Sequence, residues 1–93
     1  MLPKLIEIKA LPGYKLSLKY DDGVQGAVDL SELVGKGVFE KWKDISYFEN
    51  VKISESGAPV WSDELDIDPF NQYLKIIGKT FEEYVSEKRK DAA

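Results

Sequence analysis

The chain has no cysteine and no histidine among its 93 residues. Those two absences exclude more than any motif supplies. A conventional structural zinc site lacks its usual ligands. Neither a Ser-His-Asp nor a Cys-His catalytic arrangement can be built within the chain. A general acid or base would have to be Asp, Glu, Lys or Tyr, so the expectation is a protein that is not an enzyme and carries no cofactor. Also missing are any apolar run of about 18 residues, the span of a membrane helix, and any signal-peptide pattern. The expected compartment is therefore the cytoplasm, with no membrane association, and a cysteine-free chain fits a reducing environment. Positive charge is scarce: 13 Lys and Arg stand against 17 Asp and Glu, for a net −4. That balance argues against nucleic acid and anionic membranes, which need a basic surface.

What the chain does have is enough apolar material for one modest core: 43% hydrophobic residues, including 11 aromatics. A single domain over residues 1–85 is expected, with a polar, fraying tail over 86–93 (SEKRKDAA). Leu5–Ala10 reads as a strand with Ile6, Ile8 and Ala10 on one face. Tyr14–Tyr20 (YKLSLKY) alternates cleanly, with Tyr14, Leu16, Leu18 and Tyr20 inward and Lys15, Ser17 and Lys19 outward. Asp22-Gly23 tolerates the positive φ of a tight hairpin, so Val24–Leu30 should return antiparallel. Gly26 there marks a bulge or a close backbone approach.

Ser31 is a candidate helix cap, and Gly35-Lys36-Gly37 breaks the helix after one turn. The Gly-Lys-Gly run lacks the spacing and the Ser/Thr of a phosphate loop. Val38–Lys43 reads as another helical turn, with Trp42 toward the core. Phe48–Ser54 and Ala58–Trp61 read as a second hairpin across Ser56-Gly57. Asp68 and Pro69 cap and open a helix whose stripe is Phe70, Tyr73, Leu74 and Ile77, and which Gly78 ends. Thr80 with Glu83 forms a capping box for a further helix. The sum is an α+β domain: one antiparallel sheet of about four or five strands built from hairpins, with short helices and a C-terminal helical segment on one face. Its expected core is Tyr14, Leu16, Leu18, Val28, Val51, Ile53, Phe70, Leu74 and Ile77.

The most acidic stretch is APVWSDELDIDP, residues 58–69. Glu64, Asp66 and Asp68 lie two apart, so in an extended segment they would share a face that could take Mg²⁺ or Ca²⁺. The competing reading is a solvated turn at Asp63-Glu64 and a helix cap at Asp68. EF-hand chemistry is excluded, since Pro69 stands where the loop needs Gly and Lys75 where it needs Glu. Trp61 beside Asp63, Glu64 and Asp66 combines an aromatic anchor with charge, a mixture suited to a protein partner. Lys15, Ser17 and Lys19, extended by Lys9, form a basic strip, read as a solvated face whose lysines guard an edge strand.

The order of these signals resembles the short bacterial proteins grouped as domain-of-unknown-function family 2442. The resemblance rests on Tyr14–Tyr20, Asp22-Gly23, Val28-Asp29-Leu30, Gly37-Val38-Phe39, Phe48, Trp61 and Asp66-Ile67-Asp68-Pro69. It covers about residues 3–75. The sequence departs at Ser62-Asp63-Glu64, where the family has a polar-glycine turn, and the helix after Gly78 lies beyond the family core. The resemblance implies a compact α+β domain of unestablished function, of a kind often suspected to be one half of a two-gene pair, sometimes toxin–antitoxin-like. Some relatives carry a helix-turn-helix domain after this one. The leading expectation is an interaction module for a protein partner, with a homo-oligomer left open. The alternatives are a small-ligand or Mg/Ca-binding domain using residues 63–68, and a DNA-linked regulator.

Overall fold

The computed structural model describes residues 2–92, with side-chain surroundings for 2–87. Three strands form the first sheet: β1 (Leu5–Leu11), β2 (Lys15–Tyr20) and β3 (Gln25–Asp29), paired antiparallel in the order β1-β2-β3. The β2 alternation holds: Leu16, Leu18 and Tyr20 are buried while Lys15 is exposed. Gly23 takes φ 92° at the β2–β3 turn, and the Val24 amide donates to Asp22 Oδ1 at 3.0 Å. β1 departs from simple alternation. Its register slips between Leu5 and Glu7, and the extra residue of this bulge reverses the phase. Leu5 is therefore buried at 5% exposure and Ile6 turned out at 49%, while Ile8 rejoins the inner face opposite Leu18.

The expected single sheet of four or five strands is replaced by two sheets of three. β4 (Lys52–Ile53), β5 (Pro59–Ser62) and β6 (Leu65–Asp66) form the second, in sequence order and antiparallel. β1 and β4 approach each other without a shared ladder. The cause lies in the connection. Two 3-10 segments, Ser31–Leu33 and Gly37–Lys43, lead into α1 (Ile45–Glu49), where a strand from Phe48 was expected. Asp44 Oδ1 accepts from the Ser46 amide at 3.0 Å and starts that helix. Helical backbone carries Phe48 into full burial beside Trp42, with ring centroids 5.2 Å apart. The chain becomes extended again only at Lys52. Ser31 makes no side-chain cap; Asp29 Oδ1 instead accepts from the Ser31 amide at 2.9 Å.

The helical end follows its local signals. Asp68 Oδ1 accepts from the Phe70 amide at 3.0 Å, Pro69 opens α2 (Pro69–Ile77), and Gly78 closes it at φ 70°. The capping box forms in both directions: the Glu83 amide donates to Thr80 Oγ1 at 3.1 Å and the Thr80 amide to Glu83 Oε1 at 3.2 Å. α3 spans Phe81–Ala92. The segment read as a polar tail, 86–93, runs on from it as helix up to Ala92; Ala93 and the side chains beyond Glu87 lie outside the described residues. Among the described residues no helix is long and apolar enough to cross a membrane.

α2 is locked to the first sheet. Tyr20 Oη donates to the Pro69 carbonyl at 2.6 Å and Tyr73 Oη to Asp22 Oδ2 at 2.7 Å. Gly26 is the close approach: a Cβ there would lie 2.8 Å from Ile76 Cγ2. Of the expected core, Leu16, Leu18, Val28 and Leu74 are buried, while Tyr14, Val51, Ile53, Phe70 and Ile77 are half-buried around them. Trp42 is core as expected. Leu30 is buried at the end of β3, and Leu5, Phe48 and Leu65 join the core through the bulge, the unexpected helix and the unexpected strand.

Candidate functional site: two faces of opposite charge

The acidic segment is a hairpin. β5 turns through Asp63-Glu64 into β6, and the departure from strict register between Val60 and Ser62 makes room for that turn. Ser62 Oγ steadies it by accepting from Tyr47 Oη at 3.1 Å and from the Glu64 amide at 3.4 Å. Trp61 is half-buried. Its indole Nε1 donates to the Phe48 carbonyl at 2.8 Å, and its ring centroid lies 4.8 Å from that of Trp42. Much of Trp61 therefore serves the interior, with an edge left in a shallow depression with Asn50, Lys52 and Asp63.

The carboxylates do not converge. Asp63 is exposed in the turn, and Asp66 points outward from β6 while Leu65 points in. Glu64 reaches Lys41 at 3.7 Å, an exposed pair of small energetic weight. Asp68 is engaged as the cap of α2. Among the described residues no group of three or more His, Cys, Asp or Glu could hold a metal ion.

The opposite charge collects on the outer face of the first sheet. Lys9, Lys15 and Lys19 project there by strand alternation, and Lys52 of β4 joins Lys9 and Lys19 along an open groove of about 1010 Å³ that Lys15 does not line. Ile6, Ile53 and Ala27 supply apolar lining. Among the described residues none of the four lysines has a carboxylate within 4.0 Å. Glu7 sits across from Lys19 and Asp29 across from Lys15. A hydrogen bond from Ser31, aided by the Lys15 charge, holds the Asp29 carboxyl below the usual carboxylate range. Sequence alternation had found Lys9, Lys15 and Lys19. It missed Lys52, because only tertiary structure sets β4 beside β1. The lysines of β2 do not guard an edge either, since β2 is the central strand.

The titratable groups with raised pKa are structural. Burial pushes the Tyr73 hydroxyl up to about 12, reinforced by its hydrogen bond to Asp22. Burial also raises Tyr20, with the Asp68 charge adding to it. Both are hydroxyl donors that fasten α2, and neither lies on the lysine face.

Fold and faces together define a small two-sheet α+β domain with a basic groove on one sheet and an acidic turn on the other. The chain belongs to the family described as protein of unknown function (DUF2442), which matches residues 5–78. α3 lies beyond that match. Among solved structures the chain is similar to the "Putative DNA Binding Protein NE0471" of Nitrosomonas europaea ATCC 19718, at 28% identity and a TM-score of 0.61. The similarity covers 68% of this chain and 42% of that one, less than half of the neighbour's length. No curated protein matches the chain.

Proposed function

We propose that the chain is a non-enzymatic binding module whose docking face is the outer surface of the β1-β2-β3 sheet, and whose partner is a protein presenting an acidic segment. The supporting observation is a local gathering of positive charge: Lys9, Lys19 and Lys52 line one groove with no carboxylate within 4.0 Å among the described residues, in a chain whose net charge is −4. Unpaired like charges on one face repel one another and are relieved by a partner of opposite sign, which also speeds encounter. The aliphatic lining from Ile6 and Ile53 gives such a partner something to bury.

A second reading uses the acidic hairpin against a basic partner, favoured by the exposed edge of Trp61 beside Asp63. The name of the structural neighbour brings a third, a DNA-linked role. A phosphate backbone would meet the same lysines, but the net charge weighs against DNA contact by this domain alone.

Charge reversal separates these readings. Partners captured by the native chain should be lost by Lys9→Glu/Lys19→Glu and retained by Asp63→Lys/Glu64→Lys, and duplex DNA should not shift with the native protein. The opposite pattern of capture moves the site to the hairpin. A salt-sensitive DNA complex that Lys9→Glu/Lys19→Glu abolishes favours the regulator.

A further inference from the structure

The two edges of the first sheet are treated differently. β1 is bulged between Leu5 and Glu7, carries Lys9, and lies against β4. Each of these blunts an edge against pairing with another chain. β3 is less protected: its five residues, QGAVD, contain no Lys and no Pro, its one charge is Asp29 at the strand end, and its pairing with β2 is regular. The Tyr20 amide donates to the Val24 carbonyl and the Leu30 amide to the Tyr14 carbonyl, each at 2.9 Å, at the two ends of this ladder. By antiparallel alternation the backbone groups of residues 24, 26, 28 and 30 then face β2. Those of Gln25, Ala27 and Asp29 face away, and among the described residues no strand pairs on that side. All three residues are exposed.

We propose that β3 is a self-pairing edge: two copies of the chain join antiparallel about Ala27 into one continuous six-stranded sheet. The strand is complementary to itself in this register. Ala27 meets Ala27 of the copy at the two-fold axis, where a small side chain is wanted. Gln25 lies opposite Asp29, so a side-chain amide faces a carboxylate and no like charges meet. Asp29 already accepts from Ser31, and the two oxygens of a carboxylate have further acceptor sites for the Gln25 amide of the copy. Gly26 lies opposite Val28 on the inner face, a small residue against a larger one. The pairing is isologous, so it closes at two copies. The lysine faces of both would lie on the same side of the joined sheet, but the inference stands on the edge alone and does not need the binding reading.

Sedimentation equilibrium of the native chain should give a mass twice the monomer's 10.5 kDa, with dissociation on dilution. Ala27→Lys and Ala27→Glu each place like charges across the two-fold axis and should each be monomeric. Their far-UV circular dichroism and melting should stay close to the native protein's at low concentration, because the Ala27 side chain points to solvent. Mixing the two variants should restore the doubled mass as a Lys–Glu heterodimer, which a folding defect cannot do. A native chain that stays monomeric at submillimolar concentration overturns the proposal. So does a dimer that survives both single variants, or a mixture that remains monomeric.

Discussion

The first and second sheets of this molecule are held by different forces. Strands of seven, six and five residues give the first sheet a long ladder. Strands of two, four and two residues give the second almost none. What the second has instead is rings: Trp42, Phe48 and Trp61 pack with centroids 4.8 to 5.8 Å apart beneath it. A pair of short strands is marginal in water without such a face to rest on. The lesson is that a backbone ladder leaves its outer side free for contact. A sheet resting on aromatics spends its most interface-like residue, Trp61, on its own interior.

Removing the rings should therefore have the largest effect. Trp42→Ala should lower stability by about 3–5 kcal/mol in chemical denaturation, and native-state hydrogen exchange should show β4–β6 losing protection before β1–β3. Equal loss in both sheets breaks the distinction. Leu74→Ala attacks the seat of α2 on the first sheet and should cost about 2–5 kcal/mol. A loss below about 0.5 kcal/mol, the range of exposed sites, means that α2 does not depend on that contact.

The tyrosine lock makes a pH prediction. Tyr20 and Tyr73 titrate higher folded than their ordinary value of 10.0, Tyr73 at about 12. A raised folded pKa means that the neutral form is favoured in the native state, so this stability is whole below pH 10.0 and is lost as pH rises toward 12. Tyr73→Phe should flatten part of that alkaline decline in thermal melts, and an unchanged slope assigns the decline to other groups. The smallest effect belongs to the lysine face. Lys9→Ala with Lys19→Ala should change the melting free energy by no more than about 0.5 kcal/mol per site, because among the described residues neither side chain has a carboxylate within 4.0 Å.

The same contrast explains what could be read in the chain beforehand. Period-two alternation and Asp22-Gly23 are local, and they specify β2, β3 and the lysine strip. Asp68-Pro69, Gly78 and Thr80 with Glu83 are local too, and α2 and the start of α3 follow from them. The second sheet is not local. Phe48 looks like a strand residue until Asp44 caps a helix beneath it and Trp42 offers it a ring to pack on. β6 is two residues long, below the reach of any period. The bulge that turns Leu5 inward leaves no mark in LIEIKA. Of the candidate site, Lys52 was hidden because β4 reaches β1 only through tertiary packing. Trp61 was visible, but its bond to the Phe48 carbonyl was not.

The proposed docking face lies on the ladder sheet and not on the ring-supported hairpin. An amide-resolved NMR titration with a polyglutamate peptide tests it in one measurement. Docking on the sheet face should give salt-sensitive shifts in the neighbourhood of Lys9, Ser17, Lys19 and Ala27, with residues 61–66 unmoved; Lys52, which borders both sites, does not discriminate. Shifts centred on Trp61 and Asp63, or none along β1-β2-β3, would contradict that docking face.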